Sequence, residues 1–127
     1  MRKKMVTMAV VLLLVGALCA VEQISVAVYT DAAMAQAAQI LDALRAGELD
    51  AGIEQARSLD RTWDEWASRM ELLIDHGSTD EVRYALSRLI AAIEGEDRAA
   101  ALIYASELEG SIEHVRERQA LAPQNLL

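Results

Sequence analysis

An all-α protein is predicted: an N-terminal transmembrane helix followed by a small antiparallel helical bundle of about four helices. Three observations predict it. Arg2-Lys3-Lys4 precedes an apolar run over residues 5–21 that only Thr7 interrupts. Ala, Leu, Glu and Arg dominate the rest of the chain, Phe is absent and the one proline is Pro123; the common residues are good helix formers. Apolar positions there recur every three or four residues, while the period-two alternation of strands is missing.

The N-terminal segment sets the address. As a helix, residues 5–21 are ~26 Å long at ~1.5 Å per residue, against ~30 Å for a hydrocarbon core. Residues 24–29, apolar except for Ser25, lengthen the run. Glu22 then falls near the outer interface; at mid-bilayer its charge would cost ~2.5–3.5 kcal/mol. The flanking basic residues keep the N-terminus cytoplasmic. The expectation is a single-pass cell-membrane protein with its domain outside the cytoplasm. The rival is a signal peptide: Ser25-Val26-Ala27 puts small residues at −3 and −1, so cleavage after Ala27 would secrete the rest. Lipoprotein processing at Cys19 is disfavoured by Leu18 directly before it; in the apolar run the thiol behaves as a small hydrophobe. Residues 1–29 are thus assigned as anchor or signal, and residues 30–127 as an extracytoplasmic helical bundle domain.

Charge narrows the partners. The whole chain carries −8. Beyond residue 27, nine basic residues, all arginine, stand against nineteen acidic ones. Such a surface repels phosphate backbones, so no nucleic-acid partner is expected. It also stands off anionic head groups. The domain holds no cysteine, which excludes disulfides and thiolate metal sites there.

Four helices are read in the domain. The first covers residues 31–45, with Met34, Ile40, Leu41 and Leu44, and is placed to continue directly from the span; Ala46-Gly47 ends it, Gly suiting the left-handed C′ position. The second covers 48–74, its stripe running through Leu49, Ile53, Ala56, Trp63, Trp66, Met70 and Leu73. Asp75-His76-Gly77 closes it, and Ser78 with Glu81 forms a capping-box pattern. The third covers 79–94, using Val82, Leu86, Leu89, Ile90 and Ile93, and stops at Gly95. The fourth covers 96–118, using Leu102, Ala105, Leu108, Ile112 and Val115; Arg116 and Arg118 suit its negative end, and Pro123 cannot continue it. A faint echo relates the stretch around Gly47 to that around Gly95. It fits two helical hairpins packed as a four-helix antiparallel bundle.

Few residues announce chemistry. Trp63 and Trp66, three apart, share one side of their helix; they read as an aromatic platform or as the largest core residues of a bundle without Phe. His76 and His114, the only histidines, fall toward one end of an up-down bundle, with Asp75, Glu113 and Glu117 near. That is a metal or proton-sensing arrangement, or a capping one. There is no nucleophile elbow, Gly-rich phosphate loop or HExxH spacing. The chain is expected not to be an enzyme and to need no cofactor or resident metal.

The order of features resembles a known family. The basic start and anchor lead through Glu22-Gln23 to Trp63-Asp64-Glu65-Trp66, Leu73-Ile74-Asp75-His76 and Glu94-Gly95-Glu96-Asp97. Leu108 through Ile112-Glu113-His114-Val115 comes next, and the chain stops at Asn125-Leu126-Leu127. This resembles, over essentially its whole length, the bacterial membrane-anchored family described as domain of unknown function 4363. Val115 and Leu126 stand where Ile is expected in relatives. The resemblance implies a small single-span or signal-bearing bacterial protein with a helical extracytoplasmic domain, no known activity, and a setting in sporulation or the envelope. The functional expectation is a non-catalytic interaction module. It is attached to the membrane by its N-terminal helix and holds a protein partner of the membrane or envelope. Trp63, Trp66, His76, His114, Asn125, Leu126 and Leu127 are its candidate contacts. The alternative is an extracytoplasmic ligand or metal sensor with a site at the bundle end.

Overall fold

The computed structural model describes residues 1–70 and 76–125. Four helices lie among them: α1 (Arg2–Arg45), α2 (Leu49–Arg69), α3 (His76–Glu94) and α4 (Arg98–Asn125). Each packs on the next, and α4 closes the ring on α1. Cross-helix pairs show that neighbours run antiparallel. Arg57 meets Glu94 at 2.7 Å while Arg83 meets Asp64 at 2.6 Å, so α3 numbers fall as α2 numbers rise. The expected all-α architecture, an apolar N-terminal helix followed by a four-helix bundle, is what the chain adopts.

α1 carries the long apolar segment and the first bundle helix without a break. Its first part is exposed throughout, and burial starts at Val26, followed by Thr30, Ala33, Ala37, Ile40 and Leu44. Those positions recur at three and four residues, one face of a helix. Thr30 lies in this buried stripe because its hydroxyl is satisfied locally, donating to the Val26 carbonyl at 2.8 Å and to Ala27 at 3.2 Å.

The faint echo is a repeat of 49 residues in the core. Ala56 and Ala105, Leu59 and Leu108, Trp63 and Ile112, Trp66 and Val115 are buried partners at that offset. On the companion helices so are Thr30 and Thr79, Ala33 and Val82, Ile40 and Leu89, and Leu44 and Ile93. Both distal turns have one construction. Gly47 N–H donates to Leu44 and Glu48 N–H to Ala43; Glu96 N–H donates to Ile93 and Asp97 N–H to Ala92. This is the Schellman arrangement. Aligning the two glycines is therefore one residue out: the left-handed position is Gly47 (φ 79°) in the first turn and Glu96 (φ 56°) in the second.

Several helix boundaries differ from expectation. α2 stops at Arg69, with Met70 as its cap, rather than at residue 74; residues 71–75 lie outside the described part. α3 is helical from His76, the first described residue after that stretch, so Ser78 lies within the helix and is not its N-cap. The Glu81 carboxylate faces α4 instead, 3.1 Å from His114 Nδ1. α4 starts at Arg98 behind Asp97, whose Oδ1 accepts from Ala100 N–H at 3.1 Å. It passes through Pro123 and is helical to Asn125, the last described residue. A proline removes only one donor, and so near a helix end few turns depend on it.

Arg98 ties the two halves together. Its Nε donates to Leu44 O at 3.1 Å, an oxygen that also accepts from Gly47 N–H, and its Nη2 donates to Arg45 O at 2.5 Å, both at the negative end of α1. Within the first hairpin α1 and α2 approach closely: Gly52 faces Leu44, whose Cδ2 would lie 3.1 Å from an added Cβ.

Two outcomes are expected in thermal unfolding followed by circular dichroism in mild detergent. Gly47→Ala lowers stability by about 1 kcal/mol and Glu96→Gly raises it by up to about 1 kcal/mol, because only glycine tolerates this backbone freely. Arg98→Ala costs about 1 kcal/mol, and Arg98→Lys restores only part, since an ammonium cannot match the guanidinium fork.

Candidate interaction surface

The tryptophans are internal. Spaced by three on α2, both turn into the bundle, where Trp63 is fully enclosed and Trp66 nearly so. Trp63 Nε1 donates to the Thr79 carbonyl at 3.2 Å, linking α2 to α3. Tyr29 of α1 joins them: its ring stacks on Trp66 at 4.5 Å between centroids and 10° between planes. Trp63 lies tilted, 5.1 Å from Trp66 and 6.0 Å from Tyr29. Such aromatic contacts add ~0.5–1.5 kcal/mol each to area burial. Sequence reading assigned Tyr29 to the anchor and missed it. The signal was its place three residues after Val26 and four before Ala33, on the side that becomes the bundle face. The Trp66 indole N–H is enclosed without a hydrogen-bond partner among the described residues.

The other chemistry-bearing residues lie between α3 and α4. His114 Nδ1 is 3.1 Å from Glu81 Oε2, and Arg118 Nε donates to His114 Nε2 at 3.3 Å. Two turns away, Arg88 meets Glu107 at 3.6 Å. Tyr84 and Ser111 line the same shallow groove, and Tyr84 is 60% exposed. These side chains are about half exposed, so each ion pair contributes at most ~1 kcal/mol and can be exchanged for contacts to another molecule.

Other candidates fall elsewhere. His76 opens α3 five residues before Glu81, an axial separation of ~7.5 Å. It is thus toward the same end as His114 but not level with the residue that holds it; its side chain is outside the described part. Asn125 ends α4 with its side chain likewise outside it, and Leu126 and Leu127 lie outside the described residues. Among the described residues no three His, Cys, Asp or Glu side chains gather as a metal site would require. Cys19 is exposed on the apolar part of α1.

Trp63→Ala is expected to cost about 3–5 kcal/mol by opening a cavity and removing the indole hydrogen bond that links α2 to α3. Trp66→Phe is expected to cost under about 1.5 kcal/mol, since it keeps an aromatic ring and removes an unpaired donor. Chemical denaturation of the two variants side by side checks the order; equal losses would contradict it.

No curated protein and no solved structure matches the chain. A family model does match, over residues 21–126, from just before the buried part of α1 to the end of α4. That range takes in the aromatic cluster, the His114 groove and all four bundle helices, and the chain accordingly belongs to the family described as domain of unknown function DUF4363.

Proposed function

We propose that the protein is a membrane-anchored, non-catalytic interaction module. α1 crosses the cell membrane with its N-terminus in the cytoplasm, and the bundle holds a partner protein of the membrane or envelope on the other side. One observation carries the anchoring. The apolar segment of α1 has none of its most hydrophobic window buried, whereas the same helix is covered from Val26 onward. A core helix would be covered along that window, and lipid is the surrounding that suits a bare apolar helix.

The same helix supports retention of the segment. Cleavage after Ala27 would cut inside α1, remove Val26 from the core and take away both carbonyls that the buried Thr30 hydroxyl uses. A buried donor left without an acceptor costs ~1–3 kcal/mol. The partner face in this reading is the α3–α4 groove, which offers a phenol, an imidazole and exchangeable ion pairs on a rigid scaffold. The sporulation or envelope setting implied by the family resemblance belongs to the same reading.

The test is capture of the tagged full-length chain from native bacterial membranes, beside a Tyr84→Ala/His114→Ala variant. Both substitutions lie on the surface and leave the aromatic core intact. A specific companion held by the parent and lost from the folded variant is expected. A chain that is membrane-bound, folded and solitary overturns the interaction reading.

A further inference from the structure

The bundle end that faces the apolar segment has a sharply defined rim. At 100° per residue, the buried residues of α1, from Val26 through Thr30, Ala33 and Ala37, fall on one side. Val21, Ile24 and Val28, each 63% exposed, fall on the opposite side. That outer side turns polar at Asp31, and Gln39 and Asp42 continue it. Glu22 lies toward the bundle side and is partly covered, while its neighbours Val21 and Gln23 are exposed.

α4 changes character at the same height. Arg116 meets Asp31 at 2.8 Å, which fixes the register of the two antiparallel helices. Arg118 is then level with residue 29, and it is the last charged side chain of the chain. Helix α4 runs on to Asn125, ~10 Å further, alongside residues 22–28 of α1. Two neighbouring helices therefore lose their charges at one level, α1 on its outer face below Asp31 and α4 below Arg118.

We propose that this level is the outer surface of the bilayer: the bundle stands on the lipid with no stalk, its rim seated in the headgroup layer, and lipid covers the Val21–Ile24–Val28 face. This rests on the anchoring described above. The lengths agree. A hydrocarbon core of ~30 Å takes about 20 residues, which from Met5 reaches Ile24. Val28 is then ~6 Å higher, within the ~5–7 Å headgroup layer. Packing of the bundle begins at Val26, inside that layer. The occupant is lipid because the face continues the exposed apolar surface of the span, with no charged residue between Val21, Ile24 and Val28 on that side and only the small Ser25 at its edge. It ends where the charge of both helices begins.

The test uses the full-length chain in phosphatidylcholine vesicles, with Cys19→Ala as background and a single Val28→Cys or Gln39→Cys carrying an environment-sensitive fluorophore. Val28 and Gln39 are both exposed, so neither label disturbs the core. At Val28→Cys the emission is expected to be blue-shifted, quenched by a headgroup nitroxide lipid and several-fold less accessible to iodide than at Gln39→Cys. Iodide access at Val28→Cys equal to that at Gln39→Cys, in chains that float with the vesicles, would overturn the docking and leave the anchor standing. Efficient Val28→Cys disulfide dimers, formed without the label, would overturn it in favour of a second copy on this face. Chains that fail to float would remove the anchoring reading, and the docking with it.

Discussion

One unbroken helix must satisfy two surroundings, and the rest of the architecture depends on that constraint. For 44 residues α1 keeps its backbone hydrogen bonds within itself, the condition for a segment that has no water to bond to. Its first part presents apolar side chains in every direction. Its second part presents a stripe of mostly small residues, Ala33, Ala37 and Ala43 among them, against which two other helices can close. Its own large buried side chains, Ile40 and Leu44, lie toward its far end, and the rest of the filling comes from its partners, with Trp63 and Trp66 from α2 and Leu108 and Ile112 from α4. The surface ion pairs, one or more on each of three of the four helix contacts, set register more than they add stability.

The repeat of 49 residues explains how so short a chain closes a ring. Two hairpins with the same core spacing and the same Schellman turn pack face to face, so each inter-hairpin contact resembles the other. Arg83 with Asp64 and Arg116 with Asp31 sit at one register in the two contacts. The halves are not equal, however. The first holds both tryptophans and its glycine in the left-handed position, and the second holds Val115 and Ile112 and forces Glu96 into that backbone. Arg98 has no counterpart, since Leu49 occupies its place in the first hairpin. Its bonds to Leu44 and Arg45 join the two turns at the far end.

The sequence showed the helical class, the apolar segment and most of the core, because a 3.6-residue period is a local property. Leu86, Leu89, Ile93, Ala105, Leu108, Ile112 and Val115 follow from spacing alone. What spacing could not show depends on neighbours. Whether Glu81 reaches back to Ser78 or across to His114 is decided by α4, not by the four residues of the capping pattern. Tyr29 reads as the end of an apolar run until α2 supplies Trp66 for it to stack on. The repeat was visible at Ala56 and Ala105 but obscured at the turns, where glycines invite an alignment one residue away from the hydrogen-bonded one. His114 was picked out by rarity, yet its partners Glu81 and Arg118 were one carboxylate and one arginine among many.

A helix without a hinge also transmits angle. From Val26 to Arg45 α1 rises ~29 Å, and its far end carries the turn at Gly47 to which Arg98 fastens the second hairpin. An inclination of ~20°, ordinary for a helix adjusting its apolar length to the layer around it, displaces that turn sideways by ~10 Å. The bundle is thus a rigid pointer: the thickness of whatever holds the first half of α1 is written into where the outermost turns of the protein stand.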